Sequence, residues 1–235
     1  MMSLTVLAAG SLRAVWPALA SAYGQPIRVA FGPAGLLCER IKQGKRCDLF
    51  LSANLTHPQS LIAAGIALDS AVFVHNQLCL SVPAALAASN KSWLELLSHP
   101  HLRVATSTPL SDPSGDYAWQ LFDRIERRYA GVGTALKQRA LQLVGGPFSP
   151  AVPAGEPAAN WVLNGDRADI FIGYQSYAAR PGIKTITIPP PFHIRADYAF
   201  ALCHAKAQPL ADFLLSAEAQ GILAKDGFLP LEKRA

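Results

Sequence analysis

Short apolar runs that alternate with amphipathic segments constrain the fold of this chain more than any other feature. In the first sixty residues the runs LTVLAA, IRVAF and DLFLS are each followed by a segment whose apolar residues have helical spacing. Apolar runs of four to eight residues suit buried strands, and their alternation with helices is typical of a parallel sheet covered on both faces. The sequence therefore predicts an α/β fold.

A change near Pro83 divides this pattern into two parts. The long apolar run FVHNQLCLSVP ends there and an Ala-rich stretch follows, whereas the late strand DYAFALC is expected to rejoin the first part. We therefore predict two lobes, residues 1–81 with 194–235 and residues 82–193, joined by two hinge crossings. Each lobe is expected to be a mixed, mostly parallel sheet flanked by helices, with a ligand cleft between the lobes, because ligands of open α/β sheets bind beyond the carboxyl ends of the strands.

Two helix starts stand out in the local sequence. The segment SLRAVWPALASAY has helical spacing, and we expect one helix that Ser11 caps and that Pro17 kinks. In LSDPSGDYA, Asp112 can cap a helix while Pro113 takes the first helical position. The free N–H groups of such a helix start suit an anion, so the two carboxylates of this stretch, Asp112 and Asp116, need an explanation.

Composition excludes several classes of protein. Half of the 235 residues are hydrophobic and 16% are charged, which favours a sizeable core. The formal net charge is +5, but Lys and Arg are scattered without an aromatic-interleaved stripe, so we expect no nucleic-acid partner. No apolar run reaches 18 residues, and the start carries no basic segment or cleavage site. The chain is then either cytoplasmic or begins near a mature N-terminus.

Neither the cysteines nor any catalytic motif indicates an enzyme. The four cysteines show no zinc-site spacing and are expected to be small buried apolar residues, with a Cys38–Cys47 disulfide left open. The sequence contains no G-x-S-x-G nucleophile elbow and no phosphate-binding loop. We predict no catalytic residues and no cofactor.

Five segments in a characteristic order carry a resemblance to a known family. LTVLAAGSLRAVWPALASAY, FGPAGLLCERIKQGKRCDLFLSAN, SDPSGDYAWQLF, NGDRADIFIGYQSYA and SAEAQGILAKDGFLPL together resemble the molybdate/tungstate-binding proteins of ABC importers, within the type II periplasmic binding proteins. The resemblance covers nearly the whole chain. It implies a monomeric periplasmic protein that captures one tetrahedral oxyanion between two lobes and presents it to a membrane ABC permease.

The resemblance also implies a set of ligand-binding residues, which in this sequence are Ser11, Ala34, Gly35, Asp112, Ser114, Glu156 and Tyr174. Ala34 or Gly35 stands where the family has a serine, so a hydroxyl is missing and only backbone N–H groups remain. Ser114 matches a small residue that gives its backbone N–H to the ligand. Most of these positions also have a structural interpretation: a helix cap for Ser11 and Asp112, a tight turn at Ala34 and Gly35, a helix-dipole contact for Glu156 and a core-edge aromatic for Tyr174.

The two carboxylates suggest a particular type within the resembled family. Archaeal-type relatives have an Asp in a DP-G loop and a Glu before the last helix, and both reach the metal centre of the ligand. Asp112 and Glu156 occupy these places and are predicted as direct ligands of molybdenum or tungsten. A carboxylate that faces a dianion in a dry cleft is repulsive unless it is protonated or bonds the metal, so such a pair would reject sulfate. The alternative is that both carboxylates are helix caps that point away from the ligand.

Other functions on the same fold stay open at this point. The missing serine at Ala34 favours a different small anion or a metal ion as the ligand. A ligand-sensing module without a transport role is a further alternative.

Overall fold

The computed structural model describes residues 3–153, 155–179 and 181–231. Nine strands form in this part of the chain: β1 Leu4–Ala9, β2 Ile27–Gly32, β3 Leu49–Ser52, β4 Asp69–Pro83, β5 Val104–Ser107, β6 Leu141–Val144, β7 Ile170–Tyr174, β8 Ile183–Thr187 and β9 Arg195–Leu202. The α-helices are α1 Trp16–Tyr23, α2 Ala34–Lys42, α3 Thr56–Ala63, α4 Ala84–Ala87, α5 Trp93–Ser98, α6 Pro113–Arg128, α7 Val132–Arg139, α8 Ala158–Asn164, α9 Gln208–Leu215 and α10 Ala217–Lys225. The predicted α/β class is confirmed.

The described chain divides into two compact units. Unit 1 contains the residues up to Asn76 and those from Ala196 onward, and unit 2 runs from Gln77 to Arg195. The first division falls inside β4, ahead of Pro83, and the second falls at the start of β9. The outermost parts of the predicted first lobe, residues 1–2 and 232–235, lie outside the described residues.

Unit 1 is built on a mainly parallel sheet. Strand β1 pairs in parallel with β2, from Leu4 opposite Ile27 to Ala9 opposite Gly32, and in parallel with β3 on its other side. Strand β9 then pairs with β3 in the antiparallel direction. All four residues of β3 are buried, and five of the six residues of β1 are buried. Such continuous apolar runs are expected for strands that are covered on both faces.

Unit 2 is also built on a sheet that combines parallel and antiparallel strands, but its strand order is different. Strand β5 lies between β6 and β7 and pairs in parallel with both. Strand β4 pairs with β7 and β8 in the antiparallel direction. Helix α6 covers this sheet with one apolar face, on which Ala118, Leu121, Phe122 and Ile125 are fully buried. The carboxyl ends of β5, β6 and β7 therefore lie at one edge of unit 2.

The segment after β1 differs from the helix that the sequence predicted there. The predicted single helix after β1 is wrong: a short 3-10 turn at Gly10–Leu12 is followed by a turn over residues 13–15, and α1 begins only at Trp16. Pro17 lies in the first turn of α1, where its missing N–H costs nothing, so it does not kink the helix. Ser11 consequently does not cap an α-helix.

Two further features differ from the sequence expectations or extend them. Helix α7 was not predicted, because its sequence between Gly131 and Ala140 has only weak apolar periodicity. The Cys38–Cys47 disulfide that the sequence left open is not formed, since the four cysteines are free thiols. Cys38 donates weakly to the His57 carbonyl, and the Cys47 thiol instead lies against Cys203.

None of the described helices has the length and apolar character needed to cross a membrane.

The first turn of α6 approaches the end of β5 so closely that a side chain does not fit at Gly115. A Cβ atom there would lie 2.5 Å from both the Pro109 nitrogen and the Thr108 carbonyl carbon. We expect Gly115→Ala to lower the free energy of unfolding by roughly 2 kcal/mol or more, because backbone atoms must move. Urea denaturation followed by circular dichroism measures this change.

Gly221 provides the matched control, since it also lies in a helix but a Cβ atom there would meet nothing within 4 Å. Gly221→Ala is expected to raise stability by about 0.5–1 kcal/mol through helix propensity. Equal effects of the two substitutions would contradict the close packing of α6 on β5.

Candidate functional site

In unit 1, the predicted ligand residues follow neighbouring parallel strands. Ser11 lies in the 3-10 turn directly after β1, and Ala34 and Gly35 open helix α2 directly after β2. A Cβ atom on Gly10 would lie 3.9 Å from the Gly32 carbonyl oxygen, so the two strand ends are in contact. The structure thus brings the three predicted residues of unit 1 to one edge of its sheet.

The Ser11 side chain makes a long-range contact that the sequence did not predict. Its Oγ lies 2.7 Å from the hydroxyl oxygen of Tyr198, a residue of β9. Ser11 keeps partial exposure, whereas Tyr198 is completely buried. The expected cap role of Ser11 is replaced by this hydroxyl pair, which leaves the serine proton or a lone pair available to a ligand.

Helix α2 begins with backbone donors and no side-chain cap. Pro33 occupies the N-cap position and makes no side-chain cap hydrogen bond to the first turn. The first intrahelical bond runs from the Leu37 N–H to the Pro33 carbonyl at 3.0 Å, so the N–H groups of Ala34 and Gly35 lie ahead of it. Uncapped N–H groups at a helix start suit an anion, with the helix dipole adding to the attraction.

The end of β3 lies at the same edge and contributes polar atoms that the sequence analysis did not select. Ser52 is buried and donates from Oγ to the Asn54 side-chain oxygen at 3.1 Å. The same Asn54 oxygen accepts from the His57 N–H at 3.0 Å and thereby holds the first turn of α3. The sequence DLFLSAN could have indicated Ser52 and Asn54, since they lie at the end of an apolar run that is typical of a buried strand.

In unit 2, Asp112 is the N-cap of α6, as its structural interpretation predicted. Its Oδ1 accepts from the Ser114 N–H at 3.3 Å, and Pro113 takes the first helical position. The Ser107 side chain is a further hydrogen-bond partner of this carboxyl group. Burial raises the pKa of Asp112 to about 6, although these hydrogen bonds oppose the shift.

The second carboxylate of this stretch has a comparable backbone role. Asp116 accepts from the Leu110 N–H at 2.7 Å, and this bond closes the loop between β5 and α6. Leu110 has a left-handed backbone conformation with φ of 66°, so the loop needs this restraint. Both carboxylates of LSDPSGDYA are therefore bonded to backbone N–H groups of their own loop.

The approach of β6 to Asp112 requires a glycine. Gly145 follows β6 with φ of 77°, and a Cβ atom there would lie 2.7 Å from the Asp112 Oδ2. The Thr108 N–H donates to the Val144 carbonyl at 2.9 Å and joins the same two strand ends. The Asp112 carboxyl group is consequently enclosed between the start of α6 and the end of β6.

The other predicted residues of unit 2 differ in their surroundings. Ser114 is buried, and its N–H, which was predicted to serve the ligand, is used in the bond to Asp112. Tyr174 is the last residue of β7 and is buried next to Tyr177, with ring centroids 6.2 Å apart. Glu156 lies in the loop after β6, immediately before the Pro157 N-cap of α8, and is half-exposed. It therefore belongs to the connection rather than to the first helical turn.

A pocket of about 530 Å³ opens in unit 2 beside the ends of β5 and β6. Its lining includes Thr108, Gly146 and Ser149 together with Trp161 and Arg167. The Arg167 guanidinium lies 4.0 Å from the centroid of the Trp161 ring and donates to the Trp161 carbonyl at 2.6 Å. The predicted ligand residues are not part of this lining. Among the residues that the structure describes, no group of three or more His, Cys, Asp or Glu side chains is placed to hold a metal ion.

The raised pKa of Asp112 predicts a specific pH dependence of stability. Between about pH 4 and pH 6 the folded protein keeps a proton on Asp112 that the unfolded chain has released, so its contribution to stability falls as pH rises and levels off above about pH 6. Asn is an equally good N-cap and does not titrate. We expect Asp112→Asn to gain stability relative to wild type across this window, by at most about 3 kcal/mol at pH 7.

Chemical denaturation at intervals from pH 4 to pH 7.5 measures this difference. Asp116→Asn is the matched control, since it changes a carboxylate of the same loop whose partner is the Leu110 N–H. A stability difference between wild type and Asp112→Asn that does not change with pH would contradict the buried, partly protonated carboxyl group.

Comparisons with known proteins agree with this architecture. A family model described as bacterial extracellular solute-binding protein matches residues 4–229. An uncharacterized protein of Pasteurella multocida (strain Pm70) is 43% identical, over 97% of this chain and 98% of the relative. The molybdate-binding protein of Rhodobacter capsulatus is 24% identical, over 88% of this chain and 78% of its own length.

Among solved structures, the sulfate-binding protein SubI of Mycobacterium tuberculosis H37Rv superposes with a TM-score of 0.79 at 19% identity, over 99% of this chain and 88% of that chain. At this identity the likeness shows the fold, which is that of two-lobed binding proteins. The family match extends over almost all of the described residues and both units. The chain therefore belongs to the bacterial extracellular solute-binding proteins.

Proposed function

We propose that the protein binds an oxyanion of the molybdate or tungstate type in the periplasm and delivers it to an ABC permease. The neutral donors at the strand ends of unit 1 are the main support for this proposal. The Ser11 hydroxyl and the uncapped N–H groups of Ala34 and Gly35 follow adjacent parallel strands. A hydrogen bond from a neutral donor to a dianion is charge-assisted, because the acceptor is ionised, and it is stronger than a bond between two neutral groups. Neutral donors can therefore hold a dianion through hydrogen bonds alone.

The groups of unit 2 are a second set of candidate contacts. The N-terminus of α6, the end of β7 with Tyr174 and the loop with Glu156 all follow parallel strands of that sheet. Ligands of open α/β sheets bind beyond such strand ends. The Rhodobacter relative, which is named as a molybdate-binding protein, supports molybdate as the first ligand to test.

Another small anion is the alternative, and one residue favours it. Ala34 supplies no hydroxyl where the resembled family has a serine, so one donor to a tetrahedral ligand is missing. The sulfate-binding neighbour has the same fold. Sulfate and phosphate are therefore included as competing ligands in each binding experiment.

Thermal unfolding with added oxyanions tests the proposed ligand class. A ligand at 100 times its dissociation constant stabilises the folded state by about 2.7 kcal/mol. For a chain of this size the expected rise in Tm is roughly 5–10 °C with molybdate and tungstate, and smaller with sulfate and phosphate. A rise with sulfate or phosphate alone would support the alternative ligand, and no rise with any of the four would contradict oxyanion binding.

Substitutions separate the neutral donors from the carboxylates. Because Asp112 is bonded to the Ser114 N–H and to Ser107, we expect Asp112→Asn to change the Kd for tungstate by less than about twofold. Glu156→Gln is expected to behave in the same way. Ser11→Ala is expected to weaken binding by roughly tenfold, since a charge-assisted hydrogen bond is lost.

Isothermal titration calorimetry of the three variants gives these constants. If either carboxylate variant lost more than about tenfold in affinity, direct bonding of that carboxylate to the metal centre would be supported and the cap interpretation would be insufficient. Unchanged affinity in Ser11→Ala would remove Ser11 from the ligand-binding residues.

A further inference from the structure

A fully buried hydroxyl group stands directly behind the proposed ligand donor Ser11. Tyr198 belongs to β9, and 187 residues separate it from Ser11 in the sequence. The two hydroxyl oxygens are 2.7 Å apart, which is a normal distance for an O–H···O hydrogen bond. The contact links β9 to the 3-10 turn that presents Ser11, and both elements belong to unit 1.

The position of the Tyr198 ring is fixed from two sides. The ring of Phe73 meets it edge to face with centroids 6.5 Å apart, and the ring of Phe228 meets it in the same way at 5.4 Å. Phe73 is completely buried and Phe228 almost so. Edge-to-face contacts of this kind are favourable and directional, so the phenol oxygen is held at the Ser11 side chain.

The direction of the hydrogen bond decides what Ser11 offers to a ligand. A serine hydroxyl has one proton and two lone pairs. If Tyr198 donates to the Ser11 Oγ, the serine proton is free to donate to an oxyanion. If Ser11 donates to Tyr198, its lone pairs face the anion and repel it. The phenol is the more acidic hydroxyl, with a pKa near 10, which makes it the better donor of the pair.

We propose that Tyr198 is a positioning residue that holds the Ser11 hydroxyl as a hydrogen-bond donor to the ligand oxyanion. The role rests on the proposed oxyanion binding and names the group that orients one of its donors. It also favours oxyanions whose oxygens carry no proton, such as molybdate, tungstate and sulfate, because a donor hydroxyl has least to offer a protonated oxygen of hydrogen phosphate.

A double-mutant cycle tests whether Tyr198 acts through Ser11. Calorimetric titration with tungstate gives the Kd of wild type, Tyr198→Phe, Ser11→Ala and the double variant. We expect Tyr198→Phe to weaken binding by roughly threefold to tenfold in the wild-type background and by less than about twofold in the Ser11→Ala background. A merely structural effect of Tyr198→Phe would be equal in both backgrounds, and that result would overturn the proposal, as would unchanged binding in Tyr198→Phe.

A control variant and the ratio of phosphate to tungstate affinity distinguish an orientation role of Tyr198 from a general structural effect. Tyr23→Phe, which removes a hydroxyl from α1 in the same unit, is the matched control and is expected to leave the Kd unchanged. Tyr198→Phe is also expected to raise the affinity for hydrogen phosphate relative to tungstate by about threefold, because Ser11 can then rotate to accept; an unchanged ratio would count against the orientation role. If wild type binds none of the oxyanions, the proposed function itself is wrong, whereas binding with an additive cycle rejects only the role of Tyr198.

Discussion

Parallel strands impose one constraint on each unit: successive strands end at the same edge of the sheet, and the chain must turn there into the next helix. In unit 1 this constraint brings the 3-10 turn after β1 next to the start of α2. In unit 2 it brings the start of α6 next to the end of β6. Helix starts expose N–H groups, so each edge offers donors to an anion. The position of the candidate site thus follows from the strand order, before any particular side chain is considered.

The carboxylates in the first turn of α6 are explained by the backbone of their own loop. Asp112 accepts from the N–H of the buried Ser114, and Asp116 accepts from the N–H of the exposed Leu110, so each carboxylate pairs with a backbone donor of the loop. The raised pKa of Asp112 reduces the negative charge that this edge would present to a dianion at pH values below about 6, whereas near neutral pH this carboxyl group is mostly ionised. A helix start that contains two acidic residues is in this way compatible with anion binding.

The sequence predicted what depends on local pattern and missed what depends on distant contacts. Strand and helix alternation predicted the fold class, and the Asp-Pro step predicted the Asp112 cap, because both are properties of neighbouring residues. The helix predicted from Ser11 was wrong, since Leu12 and Val15 are buried in the turns before α1, which begins at Trp16 with Pro17 in its first turn. The pairing of Ser11 with Tyr198 could not be predicted, because it depends on how β9 is placed beside β3 and no local signal marks the tyrosine. The missing serine at Ala34 was visible in the sequence, but only the structure shows that α2 begins without a side-chain cap in its place.

The proposed function depends on an oxyanion that binds at the neutral donors of unit 1. Anomalous diffraction from crystals grown with tungstate tests it most directly, because tungsten scatters strongly and its position identifies the contacting atoms. We expect one strong anomalous peak, with ligand oxygens within hydrogen-bond distance of the Ser11 hydroxyl and of the N–H groups of Ala34 and Gly35. A tungsten site away from these groups, or no ordered tungstate in crystals of a protein saturated with it, would show that these donors do not hold the ligand.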